Sequence, residues 1–276
     1  ILILGTIPVI LSGIGQYFFN WIGPFKFLNG IIIWYQRPIN EISGLTGLFN
    51  HANYAGSWLT IIFPLCIAQI YNSKNKFKFS FLLILLIGIG TCIFLTNSRN
   101  AWGSSILTMP LVFGVSSLWW FLPLILFILS LVLFSTNNIF QGQFQENLLN
   151  ILPNKVLLEF KSEGFNHLNA TRIEILSSAT NIIINNPIFG TGSGSFPIIF
   201  EFQTGFWKGH SHNIFTELAI SYGLPSTIIF IIFLIYLLFN SFKKIYNYPL
   251  KNFNDKAYWA ASSIFLITQL VDVQYL

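Results

Sequence analysis

Two residues most directly invite chemistry by their type and surroundings, Arg99 and His212. Arg99 stands in Asn97-Ser98-Arg99-Asn100-Ala101-Trp102, at the junction of two apolar runs. An arginine at the centre of a bilayer costs about 2.5–3.5 kcal/mol on insertion scales, so it must reach the interface, pair, or face a polar cavity. One reading makes Arg99 an interfacial anchor beside Trp102. The other makes it an anion clamp, because a guanidinium keeps its charge and grips phosphate oxygens through two parallel hydrogen bonds.

His212 lies in Gly209-His210-Ser211-His212-Asn213-Ile214-Phe215-Thr216-Glu217, ahead of an apolar stretch to Tyr222 and the break Gly223-Leu224-Pro225. Gly223 suits the end of a helix and Pro225 the first turn of the next, so His212 is expected at the start of a short helix that precedes a longer one. The positive end of a helix dipole disfavours a cation, which leaves a neutral imidazole there available as a base. A purely structural histidine fits the same spacing. His210 and His212 do not make a convincing metal site, since no third ligand accompanies them and a spacing of two does not share one helix face. Glu217 and Asp272 fall near ends of apolar helices, where they can pair with an arginine or substrate or simply be wetted. Gly190-Thr191-Gly192-Ser193-Gly194-Ser195-Phe196 is neither a dinucleotide fingerprint nor a phosphate loop, and reads first as a turn. His51, within Gly44 to Asn53, carries no role by itself.

The elements that position these residues follow from composition. Of 276 residues only 8% are charged, against about 25% in soluble domains, while 54% are hydrophobic. Both an ordinary soluble domain and a disordered chain are excluded. The apolar residues form runs near the roughly 20 residues needed to cross a bilayer. The expected fold is all-α, a polytopic transmembrane bundle of about seven spans: Ile1 to Ile22, Tyr54 to Tyr71, Ser80 to Thr96, Ala101 to Leu118, Phe121 to Phe134, Leu224 to Phe239 and Ala257 to Leu270. Lys74, Lys76 and Lys78 in one short loop, and Lys243, Lys244, Lys251 and Lys256 in another, place both loops on the cytoplasmic side. Four spans lie between them, an even number, so the topology closes. Outside then fall Gly23 to Asn53, the turn Asn97 to Asn100, and a long stretch over residues 135–223.

A structureless loop of that length is unusual, so it should hold elements of its own. Thr171 to Ile184 reads as a helix with the stripe Ile175, Leu176, Ala179, Ile182 and Ile183, stopped by Asn185-Asn186-Pro187. Arg172 shares the face of Ile175 and Leu176, an arrangement suited to a helix lying on a membrane surface. Cys66 and Cys92 fall inside apolar runs and read as small buried hydrophobes. Residues 1–276 are expected to be one membrane domain and, lacking an initiator Met, a fragment of a longer chain, with 135–223 its outer loop region. The net charge of +5 is mainly a topology signal, and no nucleic acid partner is expected.

The order of these motifs resembles the O-antigen ligase and O-antigen polymerase superfamily. The pieces are Gly47 to Asn53, Ser98 to Trp102, Arg172 to Leu176, Asn186 to Phe196 and His212 to Pro225. The resemblance implies a GT-C type glycosyltransferase of the bacterial inner membrane, multi-pass, with its site on the periplasmic side and no metal or other cofactor. It implies an undecaprenyl-pyrophosphate-linked glycan as donor, with a second glycan, a lipid A core or a protein hydroxyl as acceptor. Arg99 and Arg172 would hold the donor pyrophosphate and His212 would be the base, with His210, Glu217 and Asp272 in support. His51 within the Asn-x-Asn turn departs from the family pattern, and His210 leaves open which imidazole acts. Proteins of similar architecture are also described as bicarbonate transporters, so a small-anion permease is the alternative. Transport calls for ions bound near mid-bilayer, whereas the basic and histidine residues here gather at one face.

Overall fold

The computed structural model describes residues 1–34, 36, 38–39, 44–120, 122–123, 126, 130, 172–246 and 253–270. Asp272 and most of the span expected over Phe121 to Phe134 lie outside the described residues. Among those described, the regular structure is helical apart from one short hairpin. The helices are α1 (Leu2–Gly5), α2 (Ile7–Phe18), α3 (Ala52–Tyr71), α4 (Lys76–Leu95), α5 (Arg99–Phe113), α6 (Arg172–Asn185), α7 (Ser195–Thr204), α8 (Ile214–Tyr246) and α9 (Phe253–Gln269). The hairpin pairs β1 (Phe25–Phe27) with β2 (Ile32–Trp34) in antiparallel register, Phe27 opposite Ile32.

Three described helices, α3, α4 and α8, are long and apolar enough to cross a membrane. The protein is thus an all-α membrane protein. The expected first span is a shorter apolar helical stretch over Leu2–Phe18, interrupted by a single turn residue, Thr6, whose hydroxyl donates to the Leu2 carbonyl where Pro8 in the first turn of α2 supplies no N–H. The fourth ends at Phe113, where Gly114 turns the backbone to φ 96° and a 3-10 segment over Val115–Trp120 follows.

α3 is the centre of the bundle. It packs against α4, α5 and α9 and buries Leu59, Ile62 and Cys66 in a core with Leu82, Ile89 and Cys92 of α4. α9 meets it through Ala257 and Ala261, small residues that let two backbones approach closely. Gly56 of α3 does the same toward α5, since a Cβ there would come within 2.7 Å of the Ala101 Cβ. On α8 the residues after the break, among them Ile229, Phe230, Phe233 and Tyr236, are exposed, as a lipid-facing surface requires.

The bundle has two chemically different ends. At one, Asn72 Nδ2 donates to Asn254 Oδ1 at 3.0 Å and Tyr71 stacks on Phe253 at 4.3 Å, so the turn bearing Lys74, Lys76 and Lys78 lies beside the start of α9. Asn75 caps α4 there, accepting from the N–H groups of Phe77 (2.8 Å) and Lys78 (3.3 Å). The opposite end carries the α4–α5 turn, the segment over 44–53, and the start of α8. Buried Gln16 organises it: its Oε1 accepts from the N–H groups of Thr46 (2.8 Å) and Gly47 (3.1 Å), and its Nε2 donates to Thr46 Oγ1 (2.9 Å). His51 acquires a plain role, accepting from Asn53 N–H at 3.1 Å as the N-cap of α3.

Candidate active site

Arg99 is the first residue of α5, exposed, and reached through a tight turn. Asn97 takes φ 53°, Thr96 Oγ1 accepts from Ser98 N–H at 3.2 Å, and Ser98 Oγ caps the helix by accepting from Ala101 N–H at 3.4 Å. Trp102 stacks on Phe94, and its indole N–H donates to the Ile93 carbonyl at 3.2 Å. The tryptophan therefore locks the turn, and leaves Arg99 exposed at this end of the bundle. Next to it, Asn100 Nδ2 donates to the Thr268 carbonyl at the last turn of α9, 3.1 Å away.

The second piece is the loop before α8. Asn213 is the N-cap, its Oδ1 accepting from Phe215 N–H (2.9 Å) and Thr216 N–H (3.4 Å). Its Nδ2 donates to the Leu270 carbonyl at 3.0 Å. Asn100 and Asn213 thus grip carbonyls two residues apart at one end of α9, and bring the neighbourhoods of Arg99 and His212 to the same place. Neither asparagine was singled out from the sequence; the signal available was that each directly follows a candidate residue.

His212 itself adopts φ 60°, a left-handed conformation uncommon outside glycine. Such a residue persists only where its surroundings over-determine it. Here they do: His212 N–H donates to His210 Nδ1 (3.2 Å), and Ser211 N–H donates to Glu217 Oε2 (2.8 Å). Ser211 Oγ shares a hydrogen bond with Thr216 Oγ1 at 2.7 Å. The two imidazole rings meet edge to face at 4.5 Å. Glu217, only 5% exposed, is not wetted; it ties the loop to the first turns of α8.

The break after this short helix occurs where expected. Gly223 has φ 80°, and a Cβ there would come within 2.0 Å of the Ile188 carbonyl oxygen. The glycine-rich turn packs onto it: Thr191 N–H donates to Ile220 O (2.6 Å), Gly192 N–H to Ser221 O (3.2 Å), and Leu224 N–H to Pro187 O (2.7 Å). The turn over Gly190 to Phe196 therefore lets the backbone approach another part of the same chain and satisfies carbonyls that the break would leave open.

α6 begins one residue from the expected start, at Arg172, whose side chain lies outside the described residues. Most of its stripe faces protein rather than a membrane surface, although Leu176 is exposed. Ile175, Ala179 and Ile182 are buried with Phe196 and Phe200 of α7 and Ile220 of α8. α6 and α7 are also joined by Ser178 Oγ donating to Gln203 Oε1 at 2.9 Å.

A family model described as O-antigen ligase matches residues 81–231, more than half of the chain. The chain belongs to the O-antigen ligase family. The matched region runs from α4 through the break in α8, and so contains Arg99, Arg172, His210, His212 and Glu217 but not the end of α9 on which both asparagines rest. No curated protein matches the chain. Membership makes this a membrane protein of glycan processing, with a lipid-linked glycan and an acceptor as its partners in general.

Proposed function

We propose that the protein transfers a glycan from an undecaprenyl-pyrophosphate carrier to an acceptor hydroxyl, by direct displacement with inversion and without a metal. The observation that carries this reading is the shared anchorage of Asn100 and Asn213 on the end of α9, at 3.1 and 3.0 Å, which draws a fixed cation and an imidazole to one end of the bundle. As the anomeric C–O bond to the carrier breaks, negative charge develops on the pyrophosphate. Arg99 stabilises it, because a guanidinium keeps its charge and can grip phosphate oxygens through two parallel hydrogen bonds. Arg172 is proposed as the second guanidinium, which the packing of α6 against α8 supports.

The acceptor oxygen forms the new bond to the anomeric carbon while its proton passes to the His212 imidazole. His210 is assigned a positioning role, because its Nδ1 is engaged by the His212 backbone. Glu217 supports the loop rather than the substrate, and Asp272 is kept as a further supporting residue. The residues 135–223 would form the outer loop region of a single membrane domain, with the site on the periplasmic face of a bacterial inner membrane. Acceptor classes are a second glycan, a lipid A core or a protein hydroxyl, as a polymerase or ligase in surface polysaccharide or lipopolysaccharide synthesis.

The test is carrier release in proteoliposomes supplied with undecaprenyl-pyrophosphate glycan and an acceptor of each class, with chelator present. Release that depends on acceptor and on Arg99, and survives the chelator, is expected. Anion flux without release, unaffected by Arg99→Ala, would instead establish a permease.

A further inference from the structure

The β1–β2 hairpin is not needed by the site, yet it exposes an unusual set of side chains. Strand register puts Phe25, Phe27, Ile32 and Trp34 on one face, with the rings of Phe25 and Trp34 5.0 Å apart. The tip carries Leu28 and Ile31, 69% and 83% exposed, around an Asn29-Gly30 turn with φ 55° and 92°. The opposite face offers Lys26 across from Ile33. An apolar tip of this kind is costly in water.

The level of the hairpin along the bundle is set by its stem. Gly23 N–H donates to the Gln36 carbonyl, and Gln36 Nε2 donates to the Ser12 carbonyl at 3.0 Å. Trp21 folds back onto Gly15, where its ring lies within 2.2 Å of the position a Cβ would take, and the Trp21 backbone N–H donates to the Gly15 carbonyl at 3.1 Å. Ser12 lies six residues before the end of α2, about 9 Å down the helix at 1.5 Å per residue. The chain therefore does not leave α2 into open solvent; it doubles back beside the last turns of an apolar helix. Leu11, Phe18, Phe19 and Ile22 are exposed along that route, and join the hairpin to the outer surface of α2.

We propose that this hairpin is an interfacial anchor, seated in the headgroup and upper acyl region of the lipid leaflet at the end of the bundle that carries Arg99. A two-stranded hairpin has unpaired backbone groups along both edges, which the hydrocarbon core does not tolerate. The interface does, and there the exposed Trp21 sits at the level aromatic residues favour while Lys26 extends its ammonium to the headgroups. The proposal is independent of the transfer chemistry.

Variants that each add one cysteine, Leu28→Cys, Ile31→Cys and Lys26→Cys, labelled with an environment-sensitive dye in proteoliposomes of the full chain, test it. The buried Cys66 and Cys92 are controlled by the unsubstituted protein carried through the same labelling. Dyes at Leu28 and Ile31 should emit to the blue, lose most of their intensity to a nitroxide on the lipid headgroup, and lose little to aqueous iodide. The dye at Lys26 should be quenched more by iodide than the other two. Quenching of the tip dyes by iodide alone would place the hairpin in water, and protection from both quenchers would mean that protein covers it; either result overturns the proposal. Two tip positions keep the test valid if one variant fails to insert.

Discussion

At the scale of the residue, the loop before α8 stores conformational strain and holds it with named bonds. The carboxylate of Glu217 accepts from a buried backbone N–H, so truncating it leaves that donor unpaired, at a cost of about 1–3 kcal/mol. Glu217→Ala should therefore lower thermal stability in detergent by that amount and release His212 from its conformation, while Glu217→Gln, which keeps an oxygen, should recover most of both. A Glu217→Ala protein with unchanged melting and transfer would show that the loop is held by other bonds. Arg99 and His212 were legible in the sequence because a charge beside apolar runs and a histidine ahead of a helix stand out by type. Asn100, Asn213 and Gln16 were not, because amide side chains take their meaning from partners distant in the chain: Thr268, Leu270 and Thr46.

At the scale of the element, the crossing of the glycine-rich turn over the α8 break fixes how the α6–α7 pair sits on the bundle. Gly223 has both a positive φ and a carbonyl oxygen where a Cβ would stand. Gly223→Ala should cost about 2–4 kcal/mol, combining left-handed strain with overpacking. Gly103, within α5 and with no atom within 4 Å of a built Cβ, provides the contrast: Gly103→Ala should be neutral or stabilise by up to about 1 kcal/mol. Thermal unfolding of the two variants side by side checks the difference, and equal effects would mean that the crossing does not bear on stability. The helix from Arg172, the stop at Asn185 and the break at Gly223 were all readable, since apolar period, Asn-Pro and Gly-x-Pro are local signals. What the stripe of α6 faces was not, because an amphipathic helix looks the same whether its cover is lipid or Phe196 and Phe200. The hairpin is signalled in the sequence by Asn29-Gly30 between two apolar segments, but its strands are three residues each and Ile32-Ile33-Trp34 shows no alternation, so periodicity does not mark them.

At the scale of the whole molecule, the sparse charge is sorted between two ends. The end with Lys74, Lys76 and Lys78 satisfies the rule for cytoplasmic loops, and the opposite end gathers Arg99, His210, His212 and Glu217. A cysteine at Lys76 should thus react with an impermeant thiol reagent only after the inner side is opened, and one at Lys208 should react in intact spheroplasts. Reaction of both from the same side would invalidate the topology and the assignment of the site to the outer face with it.

The claim that His212 is the base is tested most directly by His212→Gly. Glycine suits the left-handed backbone at this position, so the variant should insert and melt at or above the temperature of the parent protein, with no loss from the fold. Single-turnover assay with undecaprenyl-pyrophosphate glycan and acceptor should then show donor still bound, through Arg99, and transfer abolished. Transfer at the parent rate by a folded His212→Gly protein would contradict the account, because the imidazole to which the mechanism assigns the acceptor proton would be gone while the neighbouring His210 keeps its Nδ1 engaged by the backbone N–H of residue 212.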